Sequence, residues 1–411
     1  MKVTVVARSA GGATGDADLA ELLDELTAAP RTAPYSDAVI AMCAQLAKRL
    51  LDDPMARRHP ELMALGFFTR QSELERMRRE FAAGARPDVV RAPHGLVFHI
   101  PPANVDTMFV YSWLLGALAG NASLVRVSRR STPVIDRLLE LVREVLATTG
   151  TSVAPSAFVR YDHDAGITAA ISARCALRVI WGGDETIATI RAAPLPATGR
   201  DLTFADRWSM TALSAGAVAA LDDAALHTLA EALANDVFWF GQLACSSPRL
   251  ALWIGDTRAR DAARTRLWPE VATVAAARGA MPEPSVRLAR EAFIHRAILD
   301  GPVIERDDFG ASLTVLSVDQ LDGVTRDHPG GGLLFEATAP SLAALDRWVT
   351  RKDQTLTHFG FAREQLVELA TRLAGRGIDR LVPVGRALSL ARIWDGYDLD
   401  AQLVRSVHVV G

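Results

Sequence analysis

Short apolar runs alternate with helical patterns between residues 95 and 184, and this alternation is what most restricts the fold of the chain. Residues 95–100, 123–127, 157–161 and 177–181 read as strands. Residues 104–119 read as a buried helix, 133–146 as an amphipathic helix and 164–173 as a third, with another opening at Asp184. Thr132 is placed to cap the second, and Pro133 sits at its first helical position. Strands and helices in this order predict a parallel sheet with helices on both faces. Helical patterns at 16–28, 37–51 and 72–82 precede it. Beyond it, a long helix over 222–240 ends near Gly241. Strand candidates follow at 249–254, 312–317, 332–337, 355–361 and 380–384, with helices clearest at 341–349 and 363–374. The tail, 403–410, reads as a final strand. Two α/β lobes with a boundary near Arg207 are expected.

Composition excludes several function classes. The chain has 411 residues, 49% hydrophobic and 23% charged, which suits two or three domains with large cores and rules out a disordered chain. Lys+Arg 45 against Asp+Glu 48 gives a net charge of −3, without the basic excess of a nucleic-acid binder. All the basic residues but Lys2, Lys48 and Lys352 are arginine, a skew that with the abundant alanine reads as a GC-rich bacterial genome. Three cysteines give no disulfide framework and suit a reducing compartment. The apolar start is too short for a signal-peptide core, and the longest apolar segment, 108–119, is too short to span a bilayer. A cytoplasmic protein without a membrane span is expected. The nine histidines are scattered and no metal-ligand spacing occurs. No G-x-S-x-G elbow is present.

Cys245 is the most informative single residue. It lies in Gly241-Gln242-Leu243-Ala244-Cys245-Ser246-Ser247-Pro248, after a long helix and before a strand, with small neighbours that leave the sulfur approachable. A thiolate is a strong nucleophile and a good leaving group, suited to acyl transfer; the alternative is a small buried hydrophobe. Cys43 and Cys175 read as core packing. Asn104 follows Pro101-Pro102-Ala103 at a strand-to-helix turn, where its amide could donate to an oxyanion or cap the helix. Such a turn lies at a carboxyl edge, where ligands of α/β sheets bind. Trp181-Gly182-Gly183-Asp184-Glu185-Thr186 is a strand, two glycines and a helix start, suited to a pyrophosphate but also to any βα turn. Gly11-Gly12-Ala13-Thr14-Gly15 lacks the dinucleotide spacing and a P-loop lysine, and reads as a surface loop. Arg126, Arg129 and Arg130 end a strand, where arginine either holds a ribose phosphate or lines a solvated turn.

Taken in order, these segments resemble the LuxC-type acyl-CoA reductases, the fatty-acid reductase family of bacterial luminescence, within the aldehyde dehydrogenase superfamily. The matching stretches begin with Gly95-Leu96-Val97-Phe98-His99-Ile100-Pro101-Pro102-Ala103-Asn104-Val105 and Leu118-Ala119-Gly120-Asn121. Val179-Ile180-Trp181-Gly182-Gly183-Asp184-Glu185 and Phe204-Ala205-Asp206-Arg207 follow. Gln242-Leu243-Ala244-Cys245-Ser246-Ser247-Pro248, Thr355-Leu356-Thr357-His358-Phe359-Gly360 and Trp394-Asp395-Gly396-Tyr397-Asp398 complete the set. The resemblance implies an aldehyde dehydrogenase-like α/β fold of two lobes, each a parallel-type sheet flanked by helices, with a cleft between them. It makes Cys245 the nucleophile and Asn104 the oxyanion donor. It sets Pro102, Arg126, Ser128, Arg129, Trp181, Gly182, Gly183, Glu185 and Thr186 against a dinucleotide. Arg129 stands where many NAD-specific relatives carry a ribose-binding glutamate. A glutamate repels a 2′-phosphate and an arginine attracts one, which favours NADPH, with NADH the alternative.

Departures from the superfamily pattern bear on the reaction. Aligned on Leu202-Thr203-Phe204-Ala205, the glutamate base of hydrolytic relatives is replaced by Thr203, which cannot serve as a base near neutral pH. Deacylation by water should then be slow. The glutamate that holds the nicotinamide ribose has no counterpart around Asp327-His328-Pro329. Cys245 follows Gln242 by three residues instead of the usual two, and the segment before Asn104 is shorter than usual. Four segments are expected: a helical 1–88, a dinucleotide-binding lobe 89–207, a thiol-nucleophile lobe 208–385 and an extension 386–411 with a possible oligomerisation strand. The leading reading is NADPH-dependent reduction of an acyl-CoA or acyl-carrier-protein thioester to an aldehyde by a homodimer or homotetramer. Alternatives are an aldehyde dehydrogenase forming free acid and a non-reducing partner that holds an acyl group.

Overall fold

The computed structural model describes residues 1–9 and 13–411. Ala10, Gly11 and Gly12, and with them the start of the Gly11–Gly15 loop, lie outside the described residues. The chain divides into two compact units, Met1–Ala205 with Leu390–Gly411, and Asp206–Ser389.

The first unit is built on a seven-stranded sheet. Its strands are β1 (Lys2–Arg8), β2 (Gly15–Asp18), β4 (Leu96–Ile100), β5 (Ala122–Arg126), β6 (Ser156–Arg160), β7 (Leu177–Trp181) and β8 (Arg200–Phe204), in the order β2-β1-β6-β5-β4-β7-β8. β6, β5, β4, β7 and β8 run parallel, and β1 and β2 add an antiparallel edge. Period-two alternation splits β4 between two layers. Leu96, Phe98 and Ile100 enter a core with Leu22, Leu23, Ile167, Ile171, Ile187 and Ile190 from the helices Leu19–Ala28, Ala165–Ser172 and Asp184–Arg191. On the other face His99 meets Ser112, and Phe158 packs edge-on against Phe109 and Trp113, all three partners on the helix Met108–Leu118. Every residue of that helix is buried, so its apolar character all round needs no polar face.

Elsewhere β3 (Val89–Pro93) pairs antiparallel with β18 (Val404–His408), which lies within the tail read as a strand. A two-residue pair, β16 (Ile393–Trp394) and β17 (Tyr397–Asp398), closes a hairpin.

The second unit carries another seven-stranded sheet, ordered β11-β12-β13-β10-β9-β14-β15. These are β9 (Trp208–Ser214), β10 (Pro248–Ile254), β11 (Val303–Phe309), β12 (Leu313–Val318), β13 (Leu333–Ala339), β14 (Asp353–Phe359) and β15 (Arg380–Pro383). Only β11 is antiparallel. One face packs on the helices Pro284–Asp300 and Arg363–Leu373 through Phe293, Ile294, Leu366 and Leu369. The other packs on Asp223–Phe238 and Thr257–Ala277 through Leu229, Leu233, Leu267 and Trp268.

Several sequence expectations are corrected. The first helix begins at Leu19, because residues 15–18 pair with β1 and Asp18 caps the helix through the Ala20 and Glu21 amides. The buried helix begins at Met108, not at 104. The helix expected at 341–349 is present in shortened form, a 3-10 turn Leu342–Ala344 running into one α-helical turn Leu345–Trp348. The structure adds the helix Pro60–Phe68 and the strands β8, β9 and β11 to the elements expected from the sequence patterns. Buried Ser209 and Thr211 interrupt the apolar pattern of β9, yet it lies inside its sheet, between β10 and β14. Among the described residues, no helix is long and apolar enough to cross a membrane.

Candidate active site

Cys245 belongs to the second unit, between the helix Asp223–Phe238 and β10. Asp222 caps that helix at its start through the Ala225 amide. After its end, Phe240, Gly241 and Gln242 all take positive φ, at 53°, 61° and 65°. Two of the three carry a side chain, and each such left-handed residue costs on the order of 1–2 kcal/mol. Gln242 offsets this. It is fully buried and uses its whole hydrogen-bonding capacity. Its Nε2 donates to the Pro248 and Leu333 carbonyls at 2.9 and 2.7 Å. Its Oε1 accepts from the Gly332 and Leu333 amides, both at 3.0 Å. The Gly331 amide donates to the Gly241 carbonyl at 2.9 Å.

The buttress is Gly330-Gly331-Gly332, three further left-handed residues with φ between 71° and 75°. A Cβ on Gly330 would lie 2.5 Å from the Gly241 carbonyl oxygen, and one on Gly332 1.9 Å from that of Ser312. Backbone meets backbone there, so only glycine fits. Buried Arg290 donates to the Gly331 carbonyl at 2.7 Å. Sequence reasoning missed this run. Its signal, three glycines before a strand, was present.

This frame leaves Cys245 half-buried. The Gln354 Nε2 donates to Cys245 Sγ at 3.3 Å, and the Ser209 hydroxyl donates to the Cys245 carbonyl at 2.7 Å. The Ser209 oxygen in turn accepts from the Thr355 amide at 3.1 Å. Buried Arg249 interacts electrostatically with Cys245. Desolvation lowers the Arg249 pKa, and its interactions with Asp206 and Cys245 oppose that fall. Cys43 and Cys175 are different: both are buried, and burial pushes each thiol up to about 12. Asp327 is exposed, and burial holds the His328 ring well below its ordinary pKa. Glu336, the carboxylate of β13, accepts from the Trp253 and Trp268 indoles and from Ser317, and pairs with Arg264.

In the first unit the strand order gathers the other candidates. β4 is followed by β5 and β6 on one side and β7 and β8 on the other, which creates a topological switch between β4 and β7. Ile100 is registered with Ile180, so Pro101-Pro102 and Gly182-Gly183 leave the sheet side by side. Arg126 ends β5 next to them. Asn104 is exposed in this loop. It does not cap the helix, whose N-cap is Thr107. Gly183 caps the helix Asp184–Arg191 and is exposed; a Cβ there would meet nothing within 4 Å. On Gly182 it would lie 3.2 Å from Thr186 Cγ2. Asp184 and Glu185 stand in the first helical turn, so what the turn offers an anion is backbone N–H groups.

Trp181 stacks on Phe204 at 3.6 Å between ring centres, and its indole faces Ser112 at 3.3 Å. Its ring is therefore core, and its contribution to the edge is backbone. The Arg126 guanidinium lies 4.7 Å over the Tyr161 ring and 3.4 Å from His163 Nδ1. Arg129 pairs with Asp162, and Ser128 Oγ accepts from the Arg130 amide. Open glycine backbone beside an arginine-tipped strand fits the sugar–phosphate chain of a dinucleotide. Thr203 lies on β8, 3.5 Å from Arg191.

The sequence model of the acyl-CoA reductase (LuxC) family matches residues 69–405. No curated protein gives a significant sequence match. Among solved structures the chain is similar to betaine aldehyde dehydrogenase from Staphylococcus aureus, with a TM-score of 0.65 and 14% identity over 95% of this chain and 85% of that one. It is similar to 1-pyrroline-5-carboxylate dehydrogenase from Thermus thermophilus, with a TM-score of 0.64 and 13% identity over 95% and 83%. Proline utilization A from Bdellovibrio bacteriovorus gives a TM-score of 0.67 and 14% identity over 99% and 48%. The chain thus spans just under half the length of such bifunctional proteins. At these identities the structural likeness establishes the fold.

Proposed function

The chain belongs to the acyl-CoA reductase (LuxC) family, and on that premise we propose that it reduces an acyl thioester to an aldehyde with NADPH, through an acyl-enzyme on Cys245. The observation that carries this reading is the treatment of Cys245. A strained turn and its glycine buttress hold the loop that leads to one half-buried sulfur, and an amide donates to that sulfur. The Cys245 thiolate attacks the thioester carbonyl. Asn104 and the Cys245 amide are assigned to the oxyanion, and the carrier thiolate leaves. Pro102, Gly182, Gly183, Glu185 and Thr186 with Arg126, Ser128 and Arg129 are assigned to the dinucleotide. When bound, its nicotinamide supplies the hydride that reduces the acyl group. The thiohemiacetal on Cys245 then collapses to aldehyde and releases the thiolate.

NADPH is the proposed cofactor on the strength of the two arginines. The Arg129–Asp162 pair does not oppose this. Both side chains are mostly exposed, at 66% and 76%, and such pairs are worth at most about 1 kcal/mol. A doubly charged 2′-phosphate competes for Arg129 on favourable terms. Thr203 gives no general base for water, which supports aldehyde over free acid as the product. The thioester carrier is coenzyme A or a carrier protein.

The test is NADPH oxidation at 340 nm with a panel of acyl-CoAs, with the aldehyde identified and NADPH binding followed by fluorescence. Oxidation is expected in the wild type and absent in Cys245→Ala, which still binds NADPH. Full activity in that variant, free acid as product, or no NADPH binding would overturn the reading.

A further inference from the structure

We infer that Gln354 is a positioning residue for Cys245, holding its sulfur as a thiolate by donating an amide N–H to it. The inference rests on Cys245 being the nucleophile. Gln354 is fully buried in β14, in a sheet interior where an apolar residue would pack without desolvating an amide. A buried amide left without partners costs about 1–3 kcal/mol. Here both ends are engaged. The Thr355 hydroxyl donates to Oε1 at 3.2 Å, and Nε2 faces Cys245 Sγ at 3.3 Å.

The next residue of the same strand completes the grip. Its amide meets Ser209, whose hydroxyl holds the Cys245 carbonyl. Two adjacent residues of β14 thus fix the cysteine at its sulfur directly and at its backbone through β9. Both contacts converge on one residue.

The chemistry follows from charge. A thiolate accepts an N–H more strongly than a thiol does, so the donor favours the anion, and the buried Arg249 charge acts in the same direction. The anion is the attacking species at the start. It is also the leaving group when the thiohemiacetal collapses. Between these points the sulfur is acylated and uncharged. Gln354 therefore assists formation and expulsion of the same species.

The experiment is the pH dependence of Cys245 alkylation by iodoacetamide in the full chain, with the modified site identified by mass spectrometry and thermal melting measured in parallel. Gln354→Met keeps the size and removes the donor. It is expected to slow alkylation at pH 7 about tenfold and to move the midpoint up by about one unit, while the melting temperature changes little. Gln354→Glu keeps an acceptor for Thr355 and should raise the midpoint further. An unchanged midpoint in folded Gln354→Met overturns the inference; should that variant fail to fold, an unchanged midpoint in Gln354→Glu does so. Alkylation needs neither acyl substrate nor NADPH. A wild type without reductase activity but with a Gln354-dependent midpoint would overturn the proposed function and leave this inference standing.

Discussion

Glycine has two opposite uses in this chain, and substitution separates them. Gly332 holds φ at +75° with a carbonyl oxygen 1.9 Å from where a Cβ would stand. Gly183 has an ordinary φ of −65° and open space above it. Gly332→Ala should therefore cost more than about 4 kcal/mol, through both the conformation and the clash, and lower the melting temperature or prevent folding. Gly183→Ala should cost at most about 1 kcal/mol, the difference between Gly and Ala as a helix N-cap. Under the proposed function it should weaken NADPH binding. Differential scanning fluorimetry of the two variants, with and without NADPH, checks both; equal destabilisation would contradict the packing described. Gln242 belongs to the same scale. In the sequence it is one letter of a motif, and in the fold its amide satisfies four backbone groups on two segments.

At the scale of elements, β4 carries a buried histidine in the middle of an apolar strand. His99 faces Ser112 at 2.8 Å, and burial depresses its pKa to about 3. Its ordinary value is near 6.5, so the folded form stays neutral where the unfolded chain takes up a proton. The contribution is fully present above pH 6.5 and is lost as pH falls from there toward 3. The slope is about 1.4 kcal/mol per pH unit. His94 shifts in the same direction, to about 4, through burial and then the charge of Arg200. A His99→Leu variant should therefore show a shallower, not a flat, acid decline than the wild type. Urea unfolding at pH 7 and pH 4.5, followed by tryptophan fluorescence, measures the difference. Identical acid declines would mean that His99 is protonated in the fold. β9 shows why hydrophobic pattern alone failed at this scale. Its Ser209 and Thr211 are buried, and Ser209 is there to join β14 to the cysteine loop.

Across the whole molecule, the chain returns to its first unit for its last stretch. Buried Asn121 accepts from the His94 and Gly95 amides and donates to the Leu403 carbonyl at 2.8 Å. Tyr35 donates to Asp400 at 2.7 Å, and the Tyr111 hydroxyl donates to the Ala391 carbonyl. Trp394 packs near Tyr111, and Tyr397 meets Phe204 edge-on. A chain ended at Ser389 strips these partners from buried polar groups. It should be insoluble or melt more than about 10 °C lower. A chain ended at Val409 loses only two exposed residues and should melt within about 2 °C of the full chain. Soluble expression and melting of the two truncations decide this; a stable chain ending at Ser389 would show the tail to be an appendage.

The amino-acid sequence determined the local features. The short apolar runs and helical patterns of residues 95–184 specified β4, β5, β6 and β7 and the helices between them, and the small-residue stretch around Cys245 marked the nucleophile candidate. Those signals lie within a few neighbouring residues, where backbone sterics and side-chain alternation act directly. Tertiary structure alone decided what stands beside what. It put β4 against β7, so that Pro102 and Gly182 share an edge. It put Gly330 against the Gly241 carbonyl, and Gln354 against a sulfur 109 residues away. Contacts at such separation leave no periodic trace in the chain, because each arises from the order in which strands assemble and not from the spacing of residues along any one of them.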